Sequence, residues 1–311
     1  MSDDEPRTER TRLAVAGARA TTAAVVGGQP RKDVVKNTVF AVLLFVAILI
    51  ALAGLAALLI QAFVEGRPAL GFDLFTEPGS SDPTIAGFRQ AIIGSLMLIA
   101  GVIVLVVPLG IGAAVYLEEY ANKERWWNRL IELNIQNLAA VPSIIYGILG
   151  LGFIVRGPLD LGFIALAGSL TLALLVLPIV IIAGREAIRA VPPSIREGSL
   201  ALGATKWQTI RRQVLPASIA GIATGVILAV SRAFGETAPL LLVGAATFVT
   251  FDPQFLEGQY TALPVQIFQY ATRPQEEFRI LSAAGIIVLL LVLLVMNSFA
   301  IWLRNRYEQK W

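Results

Sequence analysis

The chain has 311 residues, 56% hydrophobic and 15% charged, with a mean hydropathy of +0.72 and a formal net charge of +3. This is the composition of a membrane protein rather than a soluble one. With no cysteine there is no disulfide or thiolate metal site, and with no histidine the commonest general base and metal ligand is missing. The isoelectric point near 9.3 does not point to nucleic acid, because the basic residues are sorted by topology.

Residues 1–36 are charged and rich in Ala, Thr and Gly without an amphipathic period, and are expected to form a mostly disordered cytoplasmic tail. Its alanine-rich part, Leu13 to Val26, is interrupted by Arg19 and makes a poor signal peptide. Six apolar runs follow, near Val39–Ala62, Ala91–Leu117, Leu133–Val155, Leu161–Ala183, Ala217–Ala246 and Leu281–Leu303. Each is long enough to cross about 30 Å of hydrocarbon at about 1.5 Å per residue. The third and fourth are separated only by Arg156–Asp160, which predicts a tight antiparallel hairpin. Pro108, Pro142, Pro178 and Pro239 fall inside spans and should kink or break them, as helices in a bundle tolerate.

With the N-terminus inside, inner segments hold 19 Lys and Arg and outer loops 5, namely Arg67, Arg89, Arg156, Arg273 and Arg279. That bias places both ends in the cytoplasm. The two long outer loops, about Phe63–Gln90 and Thr247–Ile280, could receive a soluble partner or simply cover the surface. Trp126-Trp127 fits an interfacial anchor, and Glu118 and Glu119 are expected to be solvated.

The longest polar interruption in the second half, Arg185 to Pro216, is inner and fits two short amphipathic helices. Ser194 to Glu197 fits a capping box, and Gly203 should close that helix in the left-handed region. Thr205 to Gln208 offers a second box. It opens a helix with Trp207, Ile210 and Val214 on one face, Arg211 and Arg212 on the other, and Pro216 at its end.

One span carries strong charge. Arg232 lies roughly 22 Å along a helix from Ala217, with Glu236 one turn further. An arginine at that depth costs about 2.5–3.5 kcal/mol on insertion scales, so it should face a cavity or a partner. At i and i+4 the two can pair as a helix lock, or Glu236 can hold the Arg232 fork toward a passing oxyanion. Small residues every fourth position on the same helix, from Ala217 to Thr237, suit close packing against a neighbour or a second subunit.

The Arg185–Pro216 stretch resembles the coupling loop of type I ABC importer permeases, E-A-A, three residues, G, nine residues, I, one residue, L-P. Glu197, Gly203, Leu215 and Pro216 match in type and spacing; Gly198 and Ser199 replace the alanines, and Gln213 the isoleucine. The stretches Leu138–Leu151 and Ser231–Leu240 are similar to those of phosphate-specific transport permeases. Leu263–Phe268 and a last span containing Asn297 look like the A-type subunit. The resemblance runs from about residue 85 to 306, leaving 1–36 as tail, 37–84 as first span and outer loop, and 307–311 as a cytoplasmic end.

This resemblance implies an all-α polytopic membrane fold of six transmembrane helices in a prokaryotic cell membrane. The coupling loop, 185–216, would dock on a cytoplasmic ATPase. It implies a heterodimer with a homologous C-type permease, two ATPase copies and an external phosphate-binding protein, in contact with membrane lipid and not with nucleic acid. No cofactor is expected on this chain; ATP and Mg belong to the ATPase, since no G-x-x-x-x-G-K-[ST] loop is present. The chain is therefore expected to be a transport subunit, not an enzyme. Other oxyanions (phosphonate, sulfate, molybdate) remain open, because Arg232 alone does not separate tetrahedral anions. An ion-coupled carrier would call for inverted repeats, which are not evident. A membrane scaffold would not need the Arg232–Glu236 pair.

Overall fold

The computed structural model describes residues 31–122, 124–245, 249 and 251–307; the expected tail up to residue 30, Lys123, Thr247 and residues 308–311 lie outside these. Contacts divide the chain into two units, Met1–Gln61 and Ala62–Trp311. In the first, α1 (Arg31–Gly66) is an uninterrupted apolar helix whose side chains from 35 to 61 are exposed. It begins at Arg31, so the last six residues of the expected tail are already helical.

The second unit is built of helices joined by turns and loops, with one isolated bridge, Ala245 to Tyr260, among its described residues. Its long helices are α3 (Arg89–Val115), α6 (Ala165–Arg189), α9 (Leu215–Gly235) and α12 (Glu276–Tyr307), with a four-residue helix α2 (Asp73–Thr76) ahead of them. The shorter elements are α4 (Trp126–Ala139), α5 (Ser143–Leu149), α7 (Pro193–Ala201), α8 (Lys206–Thr209), α10 (Ala238–Leu242) and α11 (Leu263–Ala271). Three π-helical turns interrupt them: Tyr116–Tyr120 after α3, Gly150–Val155 after α5, and Ile210–Val214 between α8 and α9.

Five of the six expected spans are continuous helices. The third, Leu133–Val155, is a bent pair: α4 and the α5 segment meet at 107°. Pro142 holds an extended backbone at the break, and its ring disfavours helix at the residue before it. Tyr146 Oη donates to Leu138 O at 2.8 Å across the bend. Pro108 and Pro178 stay inside intact helices. The fifth span does not reach Ala246; it stops at Gly235, four residues before Pro239, whose ring would meet that carbonyl in a continuing helix. At its other end Pro216 does not terminate anything, and the helix runs from Lys206 to Gly235. The π turn widens the backbone just ahead of the proline, so the ring is accommodated where a regular turn would clash.

Helix α6 lies between α3 and α9 and supplies the largest share of the core, with Leu172, Leu175, Val176, Val180 and Ile188 all buried. The small-residue row on α9 belongs to this packing. A methyl added at Gly221 would lie 2.6 Å from Ala187 Cβ, and one at Gly225 would collide with Ala183. The row is thus spent on the neighbouring helix.

Both outer loops are built into the core rather than laid over it. Phe88, Tyr260, Leu263, Tyr270 and Phe278 are buried, and the Tyr270 ring stands 5.4 Å from Phe88 and 5.1 Å from Phe278. Gln266 Nε2 donates to Gly87 O at 2.9 Å and to Tyr270 Oη at 2.8 Å, tying one loop to the other. At the rim Arg89 pairs with Asp252 at 2.8 Å.

Candidate functional site

Arg232 stands in the last turn of α9, and Glu236 is the first residue beyond the helix, with extended backbone. The pair forms, Arg232 Nε donating to Glu236 Oε1 at 3.2 Å, but through the chain turning at Gly235 rather than along a continuous helix face. The Arg232 side chain remains 44% exposed against 17% for Glu236. The guanidinium therefore has donors left to face the space beside α9, while the carboxylate fixes its Nε edge. One residue earlier Ser231 Oγ donates to Asn297 Oδ1 of α12 at 2.7 Å. The sequence marked Asn297 only by resemblance; its contact fixes the α9 register at Arg232.

The expected coupling residues lie at the opposite end of α9, with Pro216 about 24 Å from Arg232 along the axis. Helix α7 ends in two crossed bonds, Gly203 N–H to Leu200 O at 2.9 Å and Ala204 N–H to Ser199 O at 3.2 Å, with Gly203 at φ +84°. That is a Schellman close, and the positive φ is why glycine is needed there. The Thr205–Gln208 capping box is present in both directions. The Ser194–Glu197 box is not: Pro192 occupies the cap position, α7 starts at Pro193, and Glu197 is exposed. Ile210 and Val214 are buried as expected, and Leu215 and Pro216 half-buried. Trp207 does not join them; it is 53% exposed, and in the same loop Leu200 is 49% and Leu202 90% exposed. A loop that presents three large apolar side chains at one corner has the make-up of a docking surface.

Glu118 and Glu119 are not solvated. Their side chains are 7% and 10% exposed and sit in the π turn after α3. Arg189 grips Glu118 with two donors, both at 3.2 Å, and Arg185 Nε lies 3.6 Å from the same carboxylate. Arg185 also donates to Glu132 of α4 at 2.8 Å. Arg196 on α7 sends Nε and Nη2 to Glu119 Oε1 at 3.0 and 2.9 Å, Nη1 to Val191 O at 2.6 Å and Nη2 to Ile188 O at 2.8 Å. Lys206 Nζ donates to the Glu119 carbonyl and lies 4.9 Å from the centre of the Tyr120 ring. In sequence the only signal was two acids on the inner flank of a span, where basic residues are the rule.

Residues 106–309 match the family of binding-protein-dependent transport system inner membrane components. The chain is 36% identical over 270 residues to the phosphate transport system permease protein PstA of Yersinia pestis, covering 85% of this chain and 88% of that one. It is 35% identical over 279 residues to PstA 1 of Mycobacterium tuberculosis H37Rv, covering 87% and 88%. Among solved structures, a bacterial alginate ABC transporter chain superposes with a TM-score of 0.63 at 17% identity, covering 90% of this chain and 98% of that chain. A chain of the inward-facing MetNI methionine ABC transporter gives 0.56 at 15% identity, covering 74% and 100%. These establish the type I ABC permease fold around the bent α4–α5 pair and the inner loop. The chain belongs to the binding-protein-dependent transport system inner membrane components, among the PstA permeases, and is a multi-pass membrane protein.

Proposed function

We propose that this chain is one of two permease subunits of an ATP-driven importer that carries inorganic phosphate into a prokaryotic cytoplasm. The observation that carries the reading is the open Arg232 guanidinium, held at its Nε by Glu236 and 44% exposed. A planar fork of donors suits a tetrahedral oxyanion, and its single carboxylate partner keeps it oriented without burying it. Kinship with PstA proteins selects phosphate among oxyanions. The remaining assembly follows from the same kinship: a C-type permease beside this chain, two ATPase copies on the cytoplasmic side, and an external phosphate-binding protein. ATP and Mg reside on the ATPase, whose contact is the corner at Glu197, Gly203, Leu215 and Pro216. This subunit supplies a path and a lever, not a reaction.

Labelled phosphate uptake by vesicles holding the reconstituted transporter checks this. Arg232→Gln should reduce uptake by roughly 100-fold, the loss of a charge-assisted contact of about 1.5–3 kcal/mol made worse by an unpaired Glu236. The four-subunit complex should still purify intact. Wild-type uptake by this variant would remove Arg232 from the pathway.

A further inference from the structure

Helices α6 and α9 leave the coupling loop at its two ends, so they receive its motion through the chain itself. Helix α3 has no such covalent path, yet it packs along α6 and must move with it. The charge network supplies the missing connection. The π turn Tyr116–Tyr120 at the inner end of α3 is held by Arg185 and Arg189 from α6, Arg196 from α7 and Lys206 from α8. Four basic side chains from three elements converge on two adjacent, nearly buried carboxylates and one carbonyl.

Arg196 is the centre of this arrangement. Its guanidinium closes the end of α6 through the Ile188 and Val191 carbonyls and, with the same planar group, pairs with Glu119. A π turn is an irregular stretch, with wider hydrogen-bonded rings than the helix before it, and such turns occur often at working positions. Without the network it would be the soft point between α3 and the loop. We propose that Arg196 and Glu119 are positioning residues for transport, joining the coupling loop to the inner end of α3 so that α3, α6 and α7 move as one body. The role concerns transmission of the ATPase stroke, and in that sense it rests on the reading above.

Two measurements on the assembled transporter test it. The first is the ratio of phosphate imported to ATP hydrolysed for Arg196→Lys and Glu119→Gln. Lysine keeps the charge but not the fork that reaches carboxylate and carbonyls together. Glutamine keeps an acceptor without the charge. Both ratios should fall roughly tenfold, with the ATPase still bound. The second is the distance between spin labels at Ser194→Cys on α7 and Tyr116→Cys, both exposed and outside the network. It should be narrow and unchanged between nucleotide-free and ATP-trapped states in the parent protein, and broad or shifted in both variants. Parent-like ratio and distance in the two variants would overturn the proposal, as would release of the ATPase, which would make the network a docking element. If the parent transporter moves no phosphate but the label distance still responds to Arg196→Lys, the substrate reading fails and the mechanical link stands.

Discussion

The two charge groups, one joining the turn after α3 to the inner loop and one at the end of α9, are built on opposite plans. Around Glu118, Glu119 and Arg196 the carboxylates are nearly buried; Arg185 and Arg189 hold Glu118, and two donors of Arg196 hold Glu119. At Arg232 and Glu236 one bond of 3.2 Å joins a half-exposed arginine to its acid. In a closed network most donors are committed within the chain, and what it does is fix elements to each other. An open pair fixes little and keeps donors available. The proposed substrate contact and the proposed mechanical linkage are therefore built on different elements and to different degrees of closure.

The contrast is broken most severely at the closed end. Glu118→Ala removes the carboxylate shared by Arg185 and Arg189 and leaves Arg185 with Glu132 alone. Removing one partner of a buried pair costs about 3–5 kcal/mol. Thermal unfolding of the purified complex should shift down strongly, whereas Glu236→Gln, acting on an exposed neighbour, should leave the transition almost in place. Equal shifts would mean that the two groups do not differ in kind.

A smaller effect is expected at the corner of the loop. Nothing lies within 4 Å of a methyl built on Gly203, so the fold itself objects only through the backbone, φ +84°. Placing a side chain in that region costs roughly 1–2 kcal/mol, and least for Asn. Gly203→Asn should thus retain most ATPase binding and uptake. Gly203→Trp adds bulk to the docking face and should keep the chain in the membrane while uncoupling uptake from hydrolysis, read from co-purification and vesicle transport. Normal coupling in the tryptophan variant would remove this corner from the contact. Smallest of all is Thr205→Ala, which deletes one cap for about 1 kcal/mol and should lower the melting midpoint by a few degrees with coupled transport intact.

What the sequence disclosed and what it hid divide along the same physical line. Thr205 with Gln208 and Gly203 were legible because caps are made by residues three or four apart. The Ser194 box failed on a local rival, two prolines that set the helix start on their own. Spans made of uniform apolar runs were legible by length. The third is bent rather than straight, because its first half carries Asn134, Gln136 and Asn137, and Pro142 follows. The Arg232–Glu236 pair was found, yet its geometry differs, since Gly235 ends the helix between them. Glu119 was misjudged because its partner Arg196 is 77 positions away, and no local pattern announces a contact at that separation.

The exchange Arg232→Glu with Glu236→Arg tests the division most directly. A purely structural pair survives reversal with modest change. A guanidinium that meets the anion does not, because the exchange carries it off the end of the helix to position 236 and leaves a carboxylate in its place. Labelled phosphate uptake is measured at matched membrane levels of assembled transporter. The expected result is uptake as low as that of Arg232→Gln, with normal assembly and ATPase binding; uptake at the parent rate would contradict it and make the open pair a helix lock like the closed one.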